Sequence, residues 1–587
     1  MAKQKSPNRN PSSKDVKPSP KSEPSSTRQS AGSPLEMFRR HLPSQAGVRE
    51  TVESIAVAFI LAFLFRTFEA EAFVIPTGSM APTLMGRHKD ITCPVCGYAF
   101  QVSASDEVDS TTNVSRGQNH RIVGATCPMC RYTMYMGPDN PQRKSYPSYK
   151  GDRILVSKFS YEFAEPQRWD VAVFKYPGGA KTNFIKRLVG LPGETLRISH
   201  GDILVRDDKG GDGEFEIARK LPDKLLAMLQ PVYDNDFTPT ISQYGWPRRW
   251  GPIDPAAEAA WQSEDGAAYR TDGAAEGEAW IRYEHRVPTG RDWHRRIRTD
   301  VAPPVARQLI SDFCGYNTGR EADKPGPDLD AFGLHWVGDL AVELAADVQS
   351  DTGRLVLELV EGGRRMQCAF DLATGKATLS IDGRSDFGPT AETAVKGPGE
   401  HRLRFANIDD QLQLWIDNRL VEFDAPTTYP RLGNTMPTEA DLAPVGIATD
   451  GAAVNVSHLK VLRDIYYIAM RPGMFENGRP VVITDFPREP AEAYEALSDP
   501  ERWGMLSGAR EVEFTLGEDQ FFALGDNSAK SKDGRLWEAD GFEHFVHREL
   551  LTGKALFIYW PHSWNRIPGT PIPFPMFPNF ERMELVR

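Results

Sequence analysis

A basic surface is the first thing this sequence lacks. The chain has 69 Lys/Arg against 80 Asp/Glu, a net charge of −11. Residues 1–49 carry ten Lys/Arg against three Asp/Glu, so the remainder is near −18. A general nucleic-acid surface needs a basic face, and no nucleic-acid partner is expected. Internal repeats are absent. So is a catalytic-triad setting for any of the twelve histidines; His544 and His547 near the C-terminus read as surface residues. Cysteine is sparse, with six in 587 residues. What is present, 40% apolar and 25% charged residues, is ordinary for globular protein and excludes wholesale disorder. The length exceeds one hydrophobic core and suggests several folded units.

The pattern along the chain divides it. Residues 1–47, rich in Ser, Pro and Lys without apolar periodicity, read as a disordered basic tail. Ile55–Phe65 is apolar, and with its flanks the segment 48–68 is long enough for one short transmembrane helix. The basic tail before it predicts a cytoplasmic N-terminus and an external C-terminal part. A buried core helix and a cleaved signal peptide, with Ala70-Glu71-Ala72 as its cleavage site, are the competing readings. The extended Phe73-Val74-Ile75-Pro76 runs on without a break and argues against cleavage. Residues 69–85 then lead to a compact cysteine-bearing segment, 86–150. Residues 151–235 alternate apolar and polar positions, with turns at Pro177-Gly178 and Pro192-Gly193, as β-strands do. Across 236–466 short strands recur at Leu340–Leu344, Arg354–Val360, Lys376–Ile381, Gln411–Ile416 and Ala453–Val461, a spacing that suits a β-sandwich. Residues 467–587 return to the earlier style. The fold class expected is mainly β.

Three motifs carry candidate chemistry. Ser79 follows Gly78 on a tight turn in Ile75-Pro-Thr-Gly-Ser-Met-Ala-Pro-Thr-Leu84. Lys186 lies within the apolar strand Asn183-Phe-Ile-Lys-Arg-Leu-Val-Gly190, where desolvation would favour its neutral form and fit it to act as a base toward a serine. Gly525-Asp-Asn-Ser-Ala-Lys-Ser-Lys-Asp-Gly-Arg535 is a polar loop directly after the apolar Phe521–Leu524. Each alone is an ordinary turn, strand or Asx-rich loop.

Together, and in this order, the three segments resemble the type I signal peptidase family, the serine–lysine leader peptidases. Gly151–Tyr161 and Arg168–Phe174 look like two further family segments. The resemblance implies a β catalytic domain behind one transmembrane anchor, in a bacterial inner membrane, with the catalytic part outside. It implies cleavage of signal peptides from exported preproteins after small residues at −1 and −3. Ser79 would be the nucleophile and Lys186 the general base. Thr77 would help form the oxyanion hole, Ser531 would orient the lysine, Asp533 and Arg535 would form an ion pair near the site, and Arg187 would be a charge partner. Phe73, Ile75, Met80, Leu84 and Ile185 would line the substrate pockets. No cofactor is expected for catalysis. Ser528 and Gly534 depart from the family pattern, which often has Arg and Ser there.

The other two segments interrupt that domain. Cys93-Pro-Val-Cys96 and Cys127-Pro-Met-Cys130 are paired C-x-x-C knuckles with the ligand count of a structural zinc ribbon. Outside a membrane thiols tend to oxidise, so zinc, disulfides and free thiols all stand. Cys314 and Cys368, both assigned to the sandwich, are either paired or buried. His401–Asp417 resembles a laminin-G or concanavalin-like jelly roll. For it the expectations are a glycan or cell-wall ligand, or a substrate-handling or structural role.

Overall fold

The computed structural model describes residues 51–59 and 70–587, except 110–111, 113, 209–212, 240–245, 300–303, 324–332, 432, 434–435, 477–478, 486–489, 568–569 and 571. The chain divides into two units, Met1–Phe65 and Arg66–Arg587. Of the first, residues 51–59 are helical, with Val52, Ile55, Val57 and Phe59 exposed. The expected tail, and the expected span from residue 60 onward, lie outside the described residues. Among the described residues no helix is long and apolar enough to cross a membrane.

The second unit is mainly β, as expected. Its central sheet has seven strands in the order Ala70–Val74, Arg153–Ser157, Leu551–Trp560, Val171–Tyr176, Gly179–Gly190, Gln520–Leu524, Val546–His547. The apolar run Val171–Phe174 is buried throughout and forms a hairpin with Gly179–Gly190 that places Lys186 opposite Ala172 and Arg187 opposite Val171. Successive strand residues point to opposite faces, so Lys186 and Arg187 serve different sides of one strand. Ile75, Met80, Leu84, Ile154, Val171 and Ala555 pack as one core against this sheet. A second sheet, Glu216–Ile217, Asp202–Asp207, Glu194–Ser199 and Val512–Thr515, lies beside it in sequence.

Between these pieces the chain builds two seven-stranded sheets. One includes Gln230–Asp234, Val454–Arg463, Leu340–Val348, Gly399–Ile408 and Gln411–Ile416; the other includes Ala279–Tyr283, Val445–Asp450, Arg354–Glu361, Arg364–Asp371 and Lys376–Ile381. They share one buried core containing Leu344, Leu357, Phe370, Phe405, Leu414 and Ile447, which makes them a sandwich.

Packing crosses the segment boundaries read from the sequence. The sandwich takes its first strand from Gln230, ahead of residue 236. Arg320–Glu321 pairs with Ile122–Thr126 of the cysteine segment, and Trp246 and Trp293 complete the core around the four cysteines. The 86–150 segment is too small to bury its own apolar side chains, so an excursion from the sandwich covers them. Cys314 and Cys368 are both free. Cys368 is sealed in the sandwich core, whereas Cys314 belongs to the excursion, packed beside Tyr316.

Candidate active site

Ser79 and Lys186 meet. Lys186 Nζ lies 2.6 Å from Ser79 Oγ and also donates to the Ile185 carbonyl at 3.1 Å. The lysine is 3% exposed. Burial lowers its pKa from 10.5 to about 8, against the opposing fields of Asp533 and Asp526; an ammonium surrendering its hydration shell is the dominant cost. At neutral to mildly alkaline pH this group can therefore shed its proton and accept one from the serine hydroxyl.

Arg187, on the opposite face of the strand, forms a two-pronged pair with Asp526, at 2.8 and 2.6 Å, with both side chains fully buried. Thr83 donates its hydroxyl to the same carboxylate at 2.6 Å. Asp526 thus joins the base-bearing strand to the turn after Ser79. The next residue continues the clamp. Asn527 donates its backbone N–H to Ser79 O at 3.1 Å and its side-chain amide to Gly78 O at 2.9 Å. Sequence reading missed both residues, although Gly525-Asp-Asn lay within the motif it singled out.

Asn527 is itself held by a residue no motif indicated. Asn317, from the sandwich's excursion, exchanges two 2.7 Å amide hydrogen bonds with it. Its neighbour Tyr316 lies so close to Gly78 that a Cβ there would sit 2.2 Å from the ring. Gly78 is therefore required by close approach, not by an unusual backbone angle.

The other expected residues fall as follows. Asp533 and Arg535 form a fully buried pair at 2.7 Å. Ser528 accepts from Arg535 Nη1 and from the Ile468 N–H, both at 2.9 Å. Ser531 differs from expectation. Its Oγ is buried without a hydrogen-bond partner and is wedged under Gly525, where a Cβ would meet it at 2.2 Å; the lysine's hydrogen bonds go to Ser79 and Ile185 instead. Thr77 is exposed at the rim beside Ser79. Of the pocket residues, Ile75 and Ile185 line a cleft of about 700 Å³ with Ser79 and Lys186. Met80 and Leu84 do not line it, being fully buried in the core beneath, and Phe73 packs against that core. His544 is half-buried rather than superficial, donating to the Gly534 carbonyl at 2.5 Å with its ring against Phe514. His547 is exposed.

The far wall of the cleft comes from elsewhere in the chain. Ser103, Ser105 and Ile122 of the cysteine segment and Tyr316–Glu321 of the excursion face the Ser79 side.

The four cysteines converge, and one sulfur from each lies within 4.8 Å of the others. The pairs Cys93–Cys130 and Cys96–Cys127 stand 3.6 Å apart. A disulfide requires about 2.0 Å, while thiolates about 2.3 Å from one tetrahedral zinc lie roughly 3.8 Å apart, so the donor set fits a metal and not two disulfides. Both knuckles turn the same way: Gly97 and Arg131, each just after the second cysteine of its pair, have φ of 78° and 61°.

A serine hydroxyl touching a desolvated lysine amine, at the floor of an open cleft on a β scaffold, defines a class: serine hydrolase sites that work without histidine. A sequence profile described as "Signal peptidase, peptidase S26" matches residues 129–231 and 477–560. These stretches contain Lys186 and the 525–535 loop, while Ser79 lies outside them. Signal peptidase I of Pseudomonas fluorescens is 49% identical over 59 residues, 8% of this chain and 21% of that protein. Signal peptidase I of Leptolyngbya laminosa is 26% identical over 193 residues, 32% of this chain and 57% of that protein. The chain thus spans between a fifth and somewhat over half of these relatives. Among solved structures, a carbohydrate-binding module (CBM66) of Bacillus subtilis overlaps 37% of this chain and 92% of its own, with 9% identity and a TM-score of 0.19, a likeness that says nothing about a ligand here. Two stretches of the chain thus match the signal peptidase S26 family, and the relatives it resembles are type I signal peptidases.

Proposed function

We propose that this chain is a membrane-anchored signal peptidase I that cuts signal peptides from exported preproteins with a Ser79–Lys186 dyad. The observation that carries the reading is the 2.6 Å contact between Ser79 Oγ and a lysine whose pKa burial brings down to about 8. Neutral Lys186 takes the serine proton as Ser79 attacks the scissile carbonyl, and then returns it to the leaving amine. The Ser79 N–H and the Thr77 hydroxyl stabilise the tetrahedral oxyanion; one such donor is commonly worth about 3–4 kcal/mol. Water then releases the acyl-enzyme. Ile75 and Ile185 supply apolar floor for small side chains at −1 and −3. Arg187–Asp526 and Asp533–Arg535 fix the loops and take no part in proton transfer, and Ser531 packs beneath Gly525.

The basic tail and the exposed apolar residues of 51–59 support an anchor with its N-terminus in the cytoplasm and the catalytic part outside the inner membrane. Cys93, Cys96, Cys127 and Cys130 hold one structural zinc that supplies rigidity to the cysteine segment. The sandwich's role is substrate handling, supported by its excursion Tyr316–Glu321 forming a wall of the cleft. The decisive experiment incubates detergent-solubilised protein with a preprotein carrying an A-x-A site. Cleavage after that site by the wild type and none by Ser79→Ala is expected; cleavage retained in Ser79→Ala would end the proposal.

A further inference from the structure

A second group of metal-ligating side chains lies outside both the dyad and the cysteine cluster. His88 and Asp90 come from the first strand of a hairpin, His88–Thr92 with Ala99–Ser103. His562 follows the last central-sheet strand, Leu551–Trp560. One ligand atom from each lies within 4.8 Å of the others, and the two histidines are 1% and 3% exposed.

With a neutral His562 the hydrogen-bond count at this cluster does not close. His88 Nδ1 donates to Gly86 O at 2.7 Å, which fixes the tautomer and leaves Nε2 with a lone pair. That lone pair faces His562 Nδ1 at 3.3 Å. On its other side His562 Nε2 lies 2.7 Å from Asp90 Oδ2, yet it is buried and makes no aligned hydrogen bond. A neutral His562 has one N–H. Placed on Nδ1, it leaves Nε2 lone pair against carboxylate; placed on Nε2, it leaves two imidazole lone pairs facing each other. Converging lone pairs are what a cation resolves.

The surroundings are those of a held ligand set. The His88 Nδ1–H to a backbone carbonyl is the usual orienting bond of a metal-bound imidazole. Asp90 is steadied by Gln101 and by the Trp564 indole, each at 3.2 Å, and Tyr149 lies against the His562 ring with centroids 4.6 Å apart. Ligands about 2.0–2.1 Å from a tetrahedral ion stand roughly 3.3–3.4 Å apart. The His88–His562 separation of 3.3 Å meets this, and His88 Nε2 to Asp90 Oδ1, at 3.8 Å, is near it.

We propose that His88, Asp90 and His562 form a second metal site, taking a zinc-class dication by two imidazoles and one carboxylate. It staples the hairpin whose turn carries Cys93 and Cys96 to the chain leaving the central sheet, and holds together parts 474 residues apart. The proposal does not depend on the peptidase reading or on metal at the four cysteines, because its test reads a difference. Full-length wild type, Asp90→Asn and His562→Gln are dialysed against Zn²⁺ without any affinity tag, and bound metal is measured per chain. Wild type should retain one equivalent more than either variant, and a thiol-blocking mercurial should release the same amount from all three. Asp90→Asn keeps the side chain's size and stands in if His562→Gln does not fold, as judged by circular dichroism. Equal metal content in the wild type and a folded variant would overturn the proposal.

Discussion

Replacing Lys186 with methionine separates chemistry from stability and tests the central electrostatic claim. Burial brings this lysine from the ordinary 10.5 down to about 8. The gap between the two corresponds to roughly 3 kcal/mol. The sign follows from linkage. Between pH 8 and 10.5 the unfolded chain binds more protons than the folded one, so stability rises with pH across that window. The penalty for burying the amine is fully present below about pH 8 and gone above about 10.5. Methionine fills similar volume without a charge to desolvate, but forfeits the hydrogen bonds to Ser79 and Ile185, each worth about 0.5–1.5 kcal/mol. Lys186→Met should therefore abolish cleavage yet raise stability by up to about 2 kcal/mol at pH 7, and should lose that advantage by pH 10.5. Thermal unfolding at both pH values reads the stability. A shift of roughly 2–4 °C per kcal/mol is expected for a cooperative unit of 150–250 residues. Wild-type cleavage should rise with pH through an apparent pKa near 8. A methionine variant less stable than wild type at pH 7, or activity that rises only near pH 10.5, would refute the reasoning.

Asp526→Asn leaves the buried Arg187 guanidinium uncompensated; removing one partner of such a pair costs about 3–5 kcal/mol, so denaturation midpoints should fall sharply, with activity lost at temperatures where the wild type still works. Asn317→Ala removes the amide that steadies Asn527, and should lower kcat several-fold while leaving the pH profile in place, since Lys186 is untouched. Gly78→Ala drives a Cβ to 2.2 Å from the Tyr316 ring and should abolish cleavage, with partial recovery when Tyr316→Ala is added, read as initial rates on one preprotein. Removing metal from the four cysteines should loosen the cysteine segment and reduce cleavage without abolishing it. Elemental analysis and proteolysis of that segment follow the first effect, and complete loss with the fold intact by circular dichroism would place a metal in the chemistry.

The pairing of Ser79 with Lys186 was legible only through the order of the motifs and their resemblance to the type I signal peptidase family, because a serine after a glycine turn and a lysine within an apolar strand are each ordinary alone. The five strands read in the sandwich region were equally plain from their alternation. The pocket residues were only half legible. Met80 and Leu84 have the right composition for a pocket wall, but composition does not say whether an apolar side chain faces a cleft or the core beneath it. Asp526 was hidden because an acidic residue in a polar loop looks like any Asx turn, and only the position of Arg187 across 339 residues gives it a role. Tyr316 and Asn317 had no signal at all. They sit in a single 3-10 turn, Gly315–Asn317, of a region whose pattern speaks only of a sandwich, and their importance arises from where that sandwich docks.

The distance between Ser79 and the residues that hold it bears on timing. Asn527, whose amide secures the carbonyl just before the serine, is 449 residues downstream of Gly78. At synthesis rates of about 5–20 residues per second, roughly 20–90 s separate the emergence of the two. Throughout that interval the nascent chain carries Ser79 and then Lys186 without the loop that holds the Ser79 turn. On the proposed reading, the Ser79 turn gains its clamp only after residue 527 has been made.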